Sequence, residues 1–540
     1  VNALGNIGSL AYFLPEIVLV GFILLVVLLD LVPSKARERV GGLTIAGLAI
    51  VLAILAFQLI EFPRALPTHR LVEEAAGGGE SGRAEALQGS VIFLGAAAYD
   101  RFSIFFKLGF VAATLLVAVI SPAVVRRWPT GRGEYYALLL SCLLGMMLMA
   151  SARSLLMMYL ALEFTSITSY ILAGMLRRNR KSAEASLKYI IYGGGASGVM
   201  IFGMAYLYGM TGSLDAASVG AKIMEIYENL PAAQAPTLSL FALVTSVLVM
   251  AGFGYKVAAV PFHMWCPDVY EGAPTPVTAF FSVGPKAAGF AMLIRFLAGV
   301  FGVRPEITAG EAPEPFGGPL PEWTAILALL AVFTMAIGNF VAIHQQNLKR
   351  LLAYSSIAHA GYMLLAFTIF THENIASLMF YVIVYIIMNL GAFFVVIVLE
   401  ERHKIETVEG CAGLGWRRPG LCALMTIFLV SLTGLPPTAG FIGKFLIFGY
   451  LVNAGLFGIA LAFVGVLFSA VSLYYYARIF MAMYLRAPAS EAAAGEAALV
   501  EPRGGAIMPA IWLLAAATLI FGIFWKPIVA MALEAGRGLL

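Results

Sequence analysis

Charge is scarce in this chain: only 12% of its 540 residues are Asp, Glu, Lys or Arg, about half the ~25% usual in soluble domains. The formal net charge of +4 is divided among short loops and forms no basic tract, which excludes a nucleic-acid binder. Cysteine is scarcer still. Cys142, Cys266, Cys411 and Cys422 lie far apart with no Cys-x-x-Cys pair, so neither a disulfide framework nor a zinc or iron–sulfur ligand set can be read. The six histidines are equally scattered, and no metal site is expected. No strand followed by Gly-x-Gly-x-x-Gly is readable, which excludes a dinucleotide-binding fold. The tract Gly193-Gly194-Gly195 lies inside an apolar run and reads as close helix packing rather than a phosphate loop.

What the chain has in excess is apolar length. Hydrophobic residues make up 61% of it, against ~45–50% in soluble domains. They gather into runs of about twenty residues, the length that a ~30 Å hydrocarbon core demands of a helix. The runs fall at 10–32, 40–60, 102–121, 134–151, 154–176, 188–212, 238–262, 274–301, 323–343, 350–371, 374–400, 420–450, 455–485 and 507–535. They predict an all-α polytopic membrane protein with fourteen transmembrane helices, spans 1 to 14. Residues 1–133 hold spans 1–3 and a long extracytoplasmic loop at 61–101, 134–301 hold spans 4–8, 323–485 hold spans 9–13, and 486–540 hold a cytoplasmic loop and span 14. The first run has no basic segment before it and no evident cleavage site, and reads as a retained helix rather than a signal peptide. Loops after odd-numbered spans carry seventeen Lys and Arg, whereas loops after even-numbered spans, with the C-terminal tail, carry eight. By the positive-inside rule both termini are expected on the extracytoplasmic side.

The few charges left inside the spans carry the chemical information. Glu163 lies in span 5, Lys256 in span 7, Lys286 in span 8 and Lys444 in span 12, each flanked by apolar residues. A charge at that depth costs a few kcal/mol or more unless it is paired or wet, and so marks an ion pathway by default. His359 in span 10 can titrate near neutral pH, although Ser355 and Ser356 beside it offer local hydrogen bonds. Pro261 follows Lys256, and Pro436 and Pro437 precede Lys444. Proline removes a backbone donor, so spans 7 and 12 are expected to break at mid-depth, where irregular backbone is tolerated only beside protein or water. Spans 7 and 12 run in opposite directions with the order of lysine and break reversed. That relation suggests two inverted five-helix repeats, spans 4–8 and 9–13, setting Glu163 against His359. Such repeats place ion sites near the midplane.

The strings EASLKYIIYGGGASG, PFHMWCPDVYEGAPTPVTAFFSVGPKAAGF, NLKRLLAYSSIAHAGYMLLA and LTGLPPTAGFIGKF resemble the antiporter-like membrane subunits of respiratory complex I, the bacterial NADH-quinone oxidoreductase. The resemblance covers roughly residues 90–485. Within that family the DVYEGAPTPVTAF string and Lys444 are most similar to the N-type subunit. The M-type has glutamate at the position of Lys444, and the L-type continues into a long lateral helix that is missing here. The resemblance implies proton translocation coupled to redox chemistry elsewhere. Glu163 and Lys256 would be the carboxylate–lysine pair of the first half-channel, Lys286 the central lysine, His359 a linking group and Lys444 the lysine of the second broken helix. Lys188 is a weaker candidate, near the start of span 6. Desolvation disfavours an ammonium and a carboxylate favours it, so separating Glu163 from Lys256 would drive a proton toward Lys286. The resemblance further implies that this chain itself binds no cofactor. NADH, FMN, iron–sulfur clusters and quinone would belong to partner subunits. The neighbours would be an M-type subunit and the small K- and J-type subunits in a bacterial inner membrane. A subunit of the related multi-subunit Na⁺/H⁺ antiporters is the alternative, and a purely structural subunit is a third.

Overall fold

The computed structural model describes residues 6–32, 39–65, 90–128, 130–229, 235–302, 321–487 and 506–539. In chain order the principal elements are α1 (Leu14–Leu31), α2 (Val40–Ala65), β1 (Ser90–Ile92), β2 (Ala97–Tyr99), α3 (Arg101–Ile120), α4 (Arg132–Ser151), α5 (Leu155–Ala173), α6 (Arg180–Thr211) and α7 (Ala216–Glu228). There follow α8 (Ala235–Val257), α9 (Trp265–Gly272), α10 (Thr275–Phe301), α11 (Pro321–Ile343), α12 (Leu348–Leu365) and α13 (His372–His403). The chain closes with α14 (Pro419–Thr433), α15 (Ala439–Val452), α16 (Gly455–Leu485), α17 (Ile507–Ile523) and α18 (Lys526–Arg537).

Helix starts are set locally. Asp100, Ser154, Asn179, Asn347 and Thr371 each precede a helix and accept a hydrogen bond from a backbone N–H of its first turn, satisfying donors that would otherwise be orphaned. Among the described residues eleven helices are long and apolar enough to cross a membrane unaided, or twelve when α17 and α18 count as one bent span. Spans 7 and 12 are built instead from shorter pieces, α8 with α9 and α14 with α15, interrupted at 258–264 and 434–438.

Several expectations change. Span 7 does not end near residue 262; it resumes as α9, between Lys256 and Lys286. Span 14 is not straight: α17 and α18 meet at 81°, where Pro527 stands in the first turn of α18 and cannot continue the helical hydrogen-bond ladder. The fold is not purely helical either. Part of loop 61–101 forms the antiparallel hairpin β1–β2, short enough that three-residue strands left no periodicity to read. Residues 66–89 of that loop and 488–505 lie outside the described residues.

The layering follows from burial. All of the apolar window of α10 is buried, with 94% of that in α12 and 89% in α13, whereas α1 buries 22%. These three helices form the heart of the bundle, and the outer ones turn apolar side chains outward. Gly193 packs against Tyr170 and Tyr255, while Gly194 and Gly195 have open space before them, so close packing explains Gly193 and not its two neighbours.

Two buried ion pairs fasten the N-terminal helices. Lys107 of α3 meets Glu16 of α1 at 2.7 Å. Arg295 of α10 binds Asp100 bidentately at 2.8 and 2.9 Å and donates to the Ala150 carbonyl at 2.9 Å. Removing one partner of such a pair leaves an uncompensated charge, at about 3–5 kcal/mol. Asp100→Ala is therefore expected to lower the melting temperature and yield of the assembled complex, and Asp100→Ala with Arg295→Met to recover most of the loss. Equal melting of the single and double variants would show the pair to be dispensable.

Candidate functional site

The two breaks in spans 7 and 12 create places where backbone groups are free at depth. At the first, Ala258 has φ +59° and the Val260 N–H donates to Thr334 Oγ1 of α11 at 2.9 Å. The indole of Trp265 takes up the Tyr255 carbonyl at 3.0 Å. At the second, Gly434 has φ +88°, and the Gly440 N–H is received by Ser431 Oγ at 3.1 Å. Pro261, Pro436 and Pro437 all lie within these interruptions.

A lysine flanks each break, Lys256 before the first and Lys444 after the second. Lys444, one turn into α15, donates to the carbonyls of Leu432 (3.1 Å) and Thr433 (2.9 Å) and to Ser469 Oγ (2.8 Å). Its ammonium also sits 4.4 Å from the Tyr362 ring centroid. It thus caps the C-terminal end of the half-helix α14, where the helix dipole favours a cation. Lys256, in the last turn of α8, has one hydrogen bond, to Ser166 Oγ of α5 at 3.1 Å. Lys286 of α10 donates to Ser356 Oγ of α12 at 2.5 Å, with Cys266 Sγ at 3.6 Å and the Tyr270 ring at 5.3 Å.

From Lys286 the polar groups continue across α12. Ser355 Oγ is 2.5 Å from Tyr476 Oη, which is 3.3 Å from His359 Nε2. The other ring nitrogen, Nδ1, is 2.7 Å from Tyr381 Oη. The Tyr381 ring lies against Gly443, where a Cβ would collide with it, and the next residue is Lys444. At the other end a Cβ on Gly289, one turn beyond Lys286, would stand 3.0 Å from Lys256 Cγ. Lys256, Lys286, His359 and Lys444, none more than 4% exposed, therefore follow one another from α8 through α10 and α12 to α15. Hydroxyls both donate and accept, and an imidazole takes a proton on one nitrogen while releasing one from the other, so these groups can relay protons.

Glu163 stands apart. It is half-buried beside the outward-facing Leu160, Phe164 and Ile167, and its Oε1 has no hydrogen-bond partner. The expected carboxylate–lysine contact is not formed: Ser166, one turn along α5, occupies the Lys256 ammonium instead. Lys188 lies outside the line as well. It pairs with Glu184 (2.9 Å) and Asp268 (2.5 Å), and Arg350 joins Asp268 (2.6 Å) and Glu271 (3.1 Å). Residues that sequence reasoning missed are Ser166, Ser469, Tyr381 and Tyr476, uncharged positions on helices whose facing cannot be read from periodicity alone. Ser355 and Ser356 serve Tyr476 and Lys286 rather than His359.

The family described as NADH:quinone oxidoreductase/Mrp antiporter, TM, matches residues 152–310 and 313–469. The chain belongs to this family. It is 44% identical to NADH-quinone oxidoreductase subunit N 2 of Sorangium cellulosum, over 98% of this chain and 97% of that one. It is 43% identical to subunit N of Anaeromyxobacter sp., over 97% and 96%. Among solved structures, a chain of respiratory complex I from Thermus thermophilus matches with TM-score 0.71 at 30% identity, over 96% of this chain and 98% of that one. A chain of the Mrp complex from Dietzia sp. shares the fold with TM-score 0.76 at 19% identity, over 98% and 97%.

Tyr476→Phe deletes the hydroxyl that joins Ser355 to His359. Loss of one relay hydrogen bond, worth ~1 kcal/mol, is expected to slow proton uptake by vesicles holding the assembled complex about fivefold. An unchanged rate would remove Tyr476 from the relay.

Proposed function

We propose that this chain is a proton-translocating membrane subunit of an NADH:quinone oxidoreductase, carrying protons along the line Lys256, Lys286, His359, Lys444. The observation that carries the reading is that succession itself, four buried titratable groups set beside both broken spans, each with a hydroxyl bonded to it, in a chain whose full-length relatives are named subunit N. The redox chemistry and its cofactors, NADH, FMN, iron–sulfur clusters and quinone, belong to partner subunits. Antiporter-like M-type and small K- and J-type neighbours would flank this chain in the bacterial inner membrane.

In this reading Lys256 loads, passes its proton to Lys286 when that amine is neutral, and His359 hands it on to Lys444. Glu163 acts on Lys256 through the field, not by direct contact. Fourteen crossings, ten of them in two inverted repeats, spans 4–8 and 9–13, with both termini outside the cytoplasm, fit the two broken spans and the bias of Lys and Arg. The Na⁺/H⁺ antiporter alternative has a likeness of fold at 19% identity, and sodium-dependent exchange without NADH would favour it.

In inverted membrane vesicles Lys256→Met is expected to abolish NADH-driven proton uptake and depress quinone reduction while the complex stays assembled. Wild-type values for both would make the buried lysine structural.

A further inference from the structure

The second break does more than expose carbonyls to Lys444. Between α15 and α16 lies a cavity of about 660 Å³ with apolar walls, Phe445, Phe448 and Val452 on one side and Ile459, Phe463 and Val466 on the other. It opens away from the bundle: Phe445 is 60% exposed and Phe463 68%, on the surface that spans 12 and 13 turn outward. Gly449 lines it too and has open space before it, so the groove is widest where a side chain is missing. The floor differs in kind. It is made by Thr433, Gly434, Lys444 and Ser469, and of the described residues that line the cavity only Lys444 is charged.

That floor suits the head of a ligand. Lys444 has no carboxylate partner among the described residues: two carbonyls receive it, and its third contact is Ser469 Oγ at 2.8 Å. Ser469 has an acceptor of its own, the Thr433 carbonyl at 2.9 Å, so an anion can take over that third N–H without orphaning the serine hydroxyl. The walls cannot choose among amphiphiles, because the surrounding hydrocarbon is as apolar as they are, and selection falls to the head. A phospholipid's phosphate is tied to the interface, whereas Lys444 lies about two turns, ~12 Å of rise, below the end of α15 at Val452. A carboxylic acid escapes that restraint, since it can enter hydrocarbon in its neutral form.

We propose that this groove binds a long-chain fatty acid, with its carboxyl on Lys444 and its chain between α15 and α16. The acid arrives neutral while Lys444 is the free amine. Its O–H breaks as an N–H forms on the lysine, which leaves a carboxylate against an ammonium with no change in net charge. Such a charge-assisted hydrogen bond is roughly twice as strong as a neutral one. The site stands on the cavity and its one cation. Its consequence rests on the proton-carrying reading, for a proton held in this pair is withdrawn from the relay.

The test uses the assembled complex in liposomes and a palmitic acid analogue that bears a diazirine on its chain and a terminal alkyne, with labelled peptides read by mass spectrometry. The expected result is labelling within 439–485, the stretch of α15 and α16, that unlabelled palmitate suppresses at least fivefold and methyl palmitate at the same membrane concentration does not. Gly449→Phe, which fills the groove away from the relay, is expected to cut that labelling at least fivefold with proton uptake unchanged, and Lys444→Met to cut it equally. Palmitate is expected to slow NADH-driven quinone reduction, measured with an uncoupler present so that proton carriage by the acid itself is silent, and Gly449→Phe to raise the half-inhibiting concentration at least fivefold. No labelling of 439–485, the result if a neighbouring subunit's helix fills the groove, would overturn the site. Labelling that methyl palmitate suppresses equally, the result for an ordinary lipid contact, would overturn it too. Should Gly449→Phe fail to assemble, Val466→Trp on the opposite wall carries the test. The labelling needs no pumping, so Lys444-dependent labelling in a complex whose Lys256→Met variant still pumps would uphold the site and sink the proton-carrying reading.

Discussion

An ammonium inside hydrocarbon must be given partners, and the architecture of this chain is the set of ways in which three lysines receive them. Lys444 has the fullest shell: two carbonyls exposed by the break before it, one serine and one aromatic face. Lys286 has a serine, a thiol and a ring. Lys256 has a single serine. Since each ammonium offers three donors, the positive charge is best accommodated at Lys444 and least so at Lys256. A relay built from unequal stations has a preferred resting place for its charge, and it is set by helix breaks rather than by counter-ions.

The fixed ion pairs make the contrast plain. Asp100 and Arg295 satisfy one another bidentately with a helix cap and a carbonyl in support, leaving no route in or out. Such a pair anchors α3 to α10 and conducts nothing. The network of Asp268, Glu271 and Arg350 is different in kind. It ties α9, the half-helix beyond the first break, to the start of α12, which carries Ser355, Ser356 and His359. A shift in the broken span is therefore transmitted to the hydroxyls that serve the next lysine.

Much of this was legible in the sequence because charge in an apolar run and proline beside it are strong, local signals. Lys256, Lys286, Lys444 and both interruptions needed no tertiary information. The partners did need it. Ser166, Ser469, Tyr381 and Tyr476 are ordinary residues in ordinary helices, and their importance arises from rotation and crossing, which composition does not encode when every face of a helix is apolar. The same ambiguity hid α9, since a half-helix of eight residues between prolines reads as a loop. The expected Glu163–Lys256 pair came from the family resemblance, which carries residue identity but not the side of α5 on which Glu163 sits.

That displacement of Glu163 bears on how redox energy could reach this chain. Lys286 is one turn of α10, ~5 Å of rise, from the glycine that Lys256 leans on. Like charges in one buried interior disfavour one another, so on the proposed reading a proton held at Lys256 opposes the loading of Lys286. A carboxylate locked against Lys256 would hold the charge there. One set back on the outer side of α5, with an unpartnered oxygen, instead leaves the balance close, so that a change of charge beside α5 can tip it. On the proposed reading the loose Glu163 would be the sensitive input of the relay, and the fully coordinated Lys444 its insensitive end.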